Sequence, residues 1–164
     1  MITHVGVVGA GTMGVGVSQA FAAAGLVVTL VDNDQRALDR ARERIALDAR
    51  MAALYAPGAP GADEVAARIT RTTDPAGLAD AGFVVENVTE KTSVKQEVYR
   101  RLDAICAPAC VFGVNTSAIP ITRVAGWTHR PDRVIGTHFM NPAQLKPLVE
   151  VIRGFHTSAE VVKA

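Results

Sequence analysis

Apolar positions along the chain fall into short runs separated by longer amphipathic stretches. Ile2 to Val8 (ITHVGVV) is a β-branched run that ends in glycines, and Leu26 to Val31 (LVVTLV) is a second apolar run. Both predict strands. Between them, Met13 to Ala24 is rich in small residues and predicts a helix stopped by Gly25. From Gln35 to Leu54, the residues Leu38, Ala41, Ile45 and Ala49 recur every three or four positions, the mark of a long amphipathic helix. Ala56 to Gly61 (APGAPG) is a proline and glycine breaker, read as a loop between two helices. Ile69 to Thr73 and Phe83 to Val88 predict short strands. Val94, Val98, Leu102 and Ile105 mark a further helix. Cys110 to Val114 predicts a strand, Ile121 to Ala125 a short helix, and Val134 to Phe139 and Leu148 to Ile152 two more strands. Near the end, Ser158 is placed to cap a helix that begins at Ala159 and Glu160.

Strands that alternate with helices and are apolar throughout predict an α/β domain, with a doubly wound, mostly parallel sheet covered by helices on both faces. Crossovers between its strands should be right-handed. A length of 164 residues suits one domain and suffices for a sizeable core. With 49% hydrophobic and 20% charged residues the chain is globular rather than disordered. A net charge of +1 gives no electrostatic ground for nucleic-acid binding. The apolar runs are too short for a membrane span. MITHVGVVGAG has neither the basic start nor the small-residue cleavage site of a signal peptide. Cys106 and Cys110 are too few for a disulfide framework and have no metal-type partners nearby. They read as reduced, mostly buried thiols of a cytoplasmic protein, and no metal site is expected.

Two features carry chemistry. Gly9-Ala10-Gly11-Thr12-Met13-Gly14 is G-x-G-x-x-G, placed after a strand and at the opening of a helix, and the next strand ends in Asp32. In that context it is a dinucleotide-binding loop of the Rossmann type. Gly9 permits the tight turn, Gly11 lets the backbone approach a pyrophosphate, and Gly14 lets the helix pack on the sheet. The helix start at Thr12 and Met13 offers free N–H groups to the phosphates. Asp32 would accept from the adenosine ribose hydroxyls and repel a 2′-phosphate, which favours NAD over NADP, although Arg36 lies close by. The second feature is GTHFMNPAQLKPLVEVI, Gly136 to Ile152, where His138 and Glu150 each sit in an apolar run. A core histidine and a stray surface acid would explain them. So would an acid–base pair, if the turn at Asn141-Pro142 folds two adjacent strands side by side. Ser117 follows a strand and His138 lies near the end of the next, so both would project at the carboxyl edge of the sheet.

The residues resemble the N-terminal domain of the 3-hydroxyacyl-CoA dehydrogenase family over nearly the whole chain. The motifs are GAGTMG with Asp32, VENVTEKTSVK at Val85 to Lys95, NTS at Asn115 to Ser117, RPDRVIGTHFMNP at Arg130 to Pro142, and LVEVIRG at Leu148 to Gly154. The resemblance implies a catalytic His138 with Glu150 as its carboxylate partner, and Ser117 and Asn141 against the reacting oxygen or the thioester carbonyl. It implies Glu90 and Lys95 by the nicotinamide half of NAD, with Asn115 beside them. It further implies a C-terminal helical domain, lacking here, that encloses the substrate and builds a homodimer. Without that domain the chain is expected to bind NAD but to turn over slowly or not at all. Taken singly, the residues have plainer readings. Ser117 could cap the helix near Ile121, Glu90 could be a first-turn acid, Lys95 a solvated charge, and Asn141 a turn residue.

One stretch departs from the family. Members acting on coenzyme A carry a serine and basic residues in the long helix and the loop after it, whereas Met51 to Ala67 has no lysine or arginine. Asp48 and Tyr55 stand at the corresponding places of the serine and a lysine. An acid there would repel a CoA phosphate. The acyl thioester is therefore expected on CoA or, alternatively, on an acyl carrier protein such as those bearing glyceryl units for polyketide extension. Two other functions remain open: a non-catalytic NAD-binding or structural protein, and a dehydrogenase of a small hydroxy acid.

Overall fold

The computed structural model describes residues 1–55, 58 and 60–164. Seven strands form one sheet: β1 His4–Val8, β2 Val27–Val31, β3 Ile69–Thr72, β4 Phe83–Glu86, β5 Val111–Val114, β6 Val134–Phe139 and β7 Val149–Arg153. Their order is β3-β2-β1-β4-β5-β6-β7, and every neighbouring pair is parallel except β6 and β7. The helices are α1 Thr12–Ala23, α2 Gln35–Tyr55, α3 Ala62–Ala67, α4 Thr92–Ile105, α5 Ile121–Ala125 and α6 Ala159–Lys163. Short 3₁₀ turns lie at Pro75–Leu78 and Pro131–Arg133. Ala56, Pro57 and Ala59 of the proline and glycine breaker are outside the described residues.

The chain moves outward from β1 to β3 on one side and from β4 to β7 on the other, so the sheet's direction of winding reverses between β1 and β4. Such a reversal opens a crevice at the carboxyl ends of the strands. One core packs Val5, Val7, Val28 and Leu30 against Leu38 and Ile45 of α2. A second packs Val84, Phe112 and Val114 against Tyr99 and Leu102 of α4. Cys106 and Cys110 are buried, free thiols in the second core.

The inner strands are covered and the two edge strands are not: β3 buries only Ile69, and β7 is open over most of its length. Val151 and Ile152 are exposed there, as are Leu148 just before the strand and Phe155 just after it. An apolar run alone therefore did not mark β7 as a two-sided core strand. β4 also stops sooner than its apolar run suggests. Asn87 N–H makes the last bond to β1, donating to Val8 O at 2.7 Å, and the Glu86 carboxylate then takes the Val88 N–H at 2.6 Å, which turns the chain away. β5 starts one residue late because Cys110 N–H donates to Ala107 O in a turn at 2.9 Å. Ser158 caps α6, its hydroxyl accepting from Val161 N–H at 3.2 Å.

Candidate active site

The β1–α1 turn is shaped by its glycines. Gly9 has φ +96°, a conformation that disfavours any side chain, and its N–H donates to Val31 O at 2.8 Å. A Cβ on Gly14 would lie 1.7 Å from the Gly9 carbonyl oxygen, so the helix start and the turn meet only through glycine. Gly11 has open space where its Cβ would be. Gly11 is also the N-cap of α1, where no side chain caps the helix and no acid occupies its first turn. The free N–H groups at Thr12 and Met13 are thus left for a ligand. Asp32 at the end of β2 accepts from Ala10 N–H at 2.7 Å and from Asp34 N–H at 2.9 Å, so it also clamps the glycine turn. A cavity of about 520 Å³ runs past Gly9, Gly11, Asp32, Leu78 and Val94 to Asn87 and Val88. An open glycine, an uncapped helix start and a carboxylate just after β2, beside a largely apolar cleft, fit a dinucleotide.

Asn87 and Val88 also border a second cavity, of about 340 Å³, lined by Met13, Glu90, Asn115, Ser117, His138 and Asn141 among others. Here the structure brings together the residues of the second motif. Antiparallel pairing puts His138 of β6 directly across from Glu150 of β7. Directly opposed residues share a face of the sheet, which explains how side chains twelve positions apart meet. His138 Nδ1 is 2.7 Å from Glu150 Oε2, and its Nε2 is 3.0 Å from Ser117 Oγ. An ionised carboxylate can only accept, so Nδ1 carries the hydrogen and Nε2 is free to accept one. The imidazole is mostly shielded, while Glu150 stays half open to solvent.

Behind this cavity lies a charged cluster. Lys95 is fully buried and bonds to both oxygens of Glu86, at 2.9 and 2.8 Å, and to Asn115 O at 3.2 Å. It also lies 3.2 Å from Glu90 Oε2. The lysine is therefore neither a solvated charge nor a wall of the cavity, and it faces inward to support Glu90. Glu90 itself lines the cavity and accepts a short hydrogen bond from Thr116 Oγ1. Burial pushes its carboxyl up, but the Thr116 bond and the Lys95 charge outweigh that and hold it below the ordinary range. Burial pushes Glu86 upward despite the opposing pull of Lys95. Asn115 donates to Asn87 Oδ1 at 2.6 Å and accepts from Phe139 N–H at 3.2 Å, tying β4, β5 and β6 at their carboxyl ends. Glu86, Asn87 and Thr116 were not singled out from sequence. A lone carboxylate in the apolar run FVVE was the available signal, since a buried acid demands a cation.

A third cavity, of about 490 Å³, lies where α1, α2 and the turn after Asn141-Pro142 meet. Asp48 sits on its wall, 2.8 Å from Arg44 and accepting from Gln144 at 3.2 Å. The Tyr55 side chain lies outside the described residues.

A doubly wound sheet with a glycine turn after β1 and an acid closing β2 defines a dinucleotide-binding domain of the Rossmann type. Comparison with known proteins is more specific. The family described as 3-hydroxyacyl-CoA dehydrogenase, NAD binding domain, matches residues 4–164, and the chain belongs to that family. It is 40% identical over 160 residues to a probable 3-hydroxybutyryl-CoA dehydrogenase of Deinococcus radiodurans, covering 96% of this chain and 57% of that protein. It is 40% identical over 166 residues to a probable 3-hydroxybutyryl-CoA dehydrogenase of Bacillus subtilis, covering 97% and 56%. The crystal structure of 3-hydroxybutyryl-CoA dehydrogenase from Escherichia coli K12 superposes with a TM-score of 0.94 at 36% identity, over 99% of this chain and 35% of that one. The chain thus spans little more than half the length of the first two relatives.

Proposed function

We propose that this chain is the cofactor-binding and proton-transfer part of an NAD-dependent dehydrogenase that interconverts 3-hydroxyacyl and 3-oxoacyl thioesters. The observation that carries the reading is the aligned set Ser117–His138–Glu150, at 3.0 and 2.7 Å, beside a cavity that shares Asn87 and Val88 with the glycine-loop cleft. Bound NAD supplies the hydride acceptor at nicotinamide C4. In the oxidative direction His138 Nε2 takes the proton of the 3-hydroxyl, and in the reductive direction the imidazolium returns it. Glu150 keeps the hydrogen on Nδ1 and stabilises the imidazolium. Ser117 Oγ, within reach of Nε2, marks where a substrate oxygen would meet both groups, and Asn141 on the cavity wall can donate to the thioester carbonyl. Asn115, Glu90 and Lys95 act around the nicotinamide half, the first two from the cavity wall and Lys95 from behind Glu90.

The same reading sets a helical region, supplied beyond this chain, over the exposed apolar edge at Leu148, Val151 and Ile152, where it would close the acyl pocket and build a homodimer. NADH oxidation is then measured with acetoacetyl-CoA, using this chain mixed with the separately produced C-terminal region of a relative. His138→Ala should cut the rate about a thousandfold. Activity that survives the substitution would refute the assignment.

A second reading concerns the carrier of the thioester. Arg44 is the one cation on the described wall of the third cavity, and Asp48 neutralises it at 2.8 Å. Free CoA, with its phosphates, meets no unpaired cation there, which favours an acyl group delivered on a carrier protein. The check is kcat/KM for one acyl group on CoA and on its carrier. A clear preference for CoA would sink this second reading and leave the first standing.

A further inference from the structure

Glu90, Lys95 and Glu86 together hold two carboxyl groups and one ammonium, so with both carboxyls ionised one negative charge is in excess. Its location follows from the contacts. Glu86 is fully buried, and both its oxygens are taken by Lys95, with Val88 N–H on one of them. Glu90 is the member that reaches the cavity, its side chain 44% exposed. No lysine or arginine lines that cavity among the described residues. The other group there that can carry charge, His138, already has Glu150 on its far nitrogen. The cavity therefore faces a single carboxylate without a balancing cation in front of it.

We infer that Glu90, fixed in place by Thr116 and Lys95, is a selector of cofactor charge: it shifts binding at this site toward the cationic, oxidised nicotinamide and away from the neutral, reduced ring. The inference rests on the reading above that the nicotinamide half lies in this cavity. The two forms of the cofactor share the adenosine and pyrophosphate contacts, so an interaction confined to the ring's charge appears undiluted in the ratio of their affinities. In a half-desolvated pocket one carboxylate attracts a cationic ring and has little to offer a neutral one. Glu90 stays anionic at neutral pH, because Thr116 and Lys95 outweigh the effect of burial on its carboxyl. A plainer role for Glu90, complementing the start of α4 just after it, would act on both forms alike.

The test is calorimetric titration of this chain with NAD⁺ and, separately, with NADH. Glu90→Gln should move the affinity ratio by about tenfold toward NADH, as loss of one partly screened charge predicts. Glu90→Ala removes the charge by another route while Lys95 keeps Glu86, and it must move the ratio the same way. A ratio unchanged in both variants, with both nucleotides still bound, overturns this inference alone. A wild-type chain that binds neither nucleotide overturns the placement of the cofactor and this inference with it.

Discussion

The two halves of the cleft are built from different materials. Around β1, α1 and β2 the site is mostly backbone: a glycine at positive φ, a glycine with open space above it, an uncapped helix start and one aspartate. Around β4 to β7 it is side chains: a buried lysine between two glutamates, an asparagine bridging three strands, and a histidine held by its cross-strand glutamate. A backbone site needs little beyond small residues in the right order. A side-chain site needs charges out of water, and these are tolerable only when each has its partner.

The largest break in the second half should come from Lys95→Met, which leaves Glu86 buried without its cation. We expect a loss of about 3–5 kcal/mol in urea unfolding, mostly recovered in the Glu86→Gln/Lys95→Met double variant. A single variant as stable as the wild type would show that the pair contributes nothing.

In the first half, two glycines three positions apart should behave oppositely. Gly14→Ala forces a Cβ to 1.7 Å from a backbone oxygen, so about 3 kcal/mol of stability should be lost. Gly11→Ala meets nothing in the protein, so melting should be unchanged while NAD⁺ affinity falls about tenfold, the cost of crowding a phosphate. Equal effects of the two on melting would contradict the division between turn and ligand surface.

The smallest expected effect is a pH dependence outside the cleft, in the charged cluster of Asp103, His129 and Arg130 near the end of α4. Burial raises the Asp103 carboxyl, but hydrogen bonds from His129 and Arg130 outweigh it and hold it below the ordinary range. A carboxyl lowered on folding stabilises the protein above its unfolded value and loses that contribution as pH falls through the folded one. Asp103→Asn should therefore cost about 1 kcal/mol at pH 7 and less near pH 2. Denaturation curves at the two pH values measure the difference, and a deficit that persists undiminished in acid would contradict it.

The same contrast explains what the sequence made legible. The glycine loop is local: strand, turn, helix and Asp32 lie within one stretch of the chain, and each glycine sits where periodicity changes. The fold class followed from the alternation of strands and helices, and the five inner strands are covered as it implies. The seventh strand is not, because exposure of β7 depends on what packs beside it rather than on its own apolar run. His138 and Glu150 stood out as polar residues in apolar runs, yet only the antiparallel register shows that they oppose each other. Lys95 reads as an ordinary helix cation, and its burial becomes visible only when Glu86 and Asn115 O are brought to it from neighbouring strands.

The central claim is that the two halves form one continuous site, with the nicotinamide end beside His138. Proton–nitrogen NMR of this chain during NAD⁺ titration tests it most directly. His4, His129 and His156 lie outside both cavities and serve as internal references. The account predicts that the Gly11 amide and the His138 ring signals shift together with one dissociation constant while the three references hold still. A Gly11 amide that responds while the His138 ring does not would contradict it.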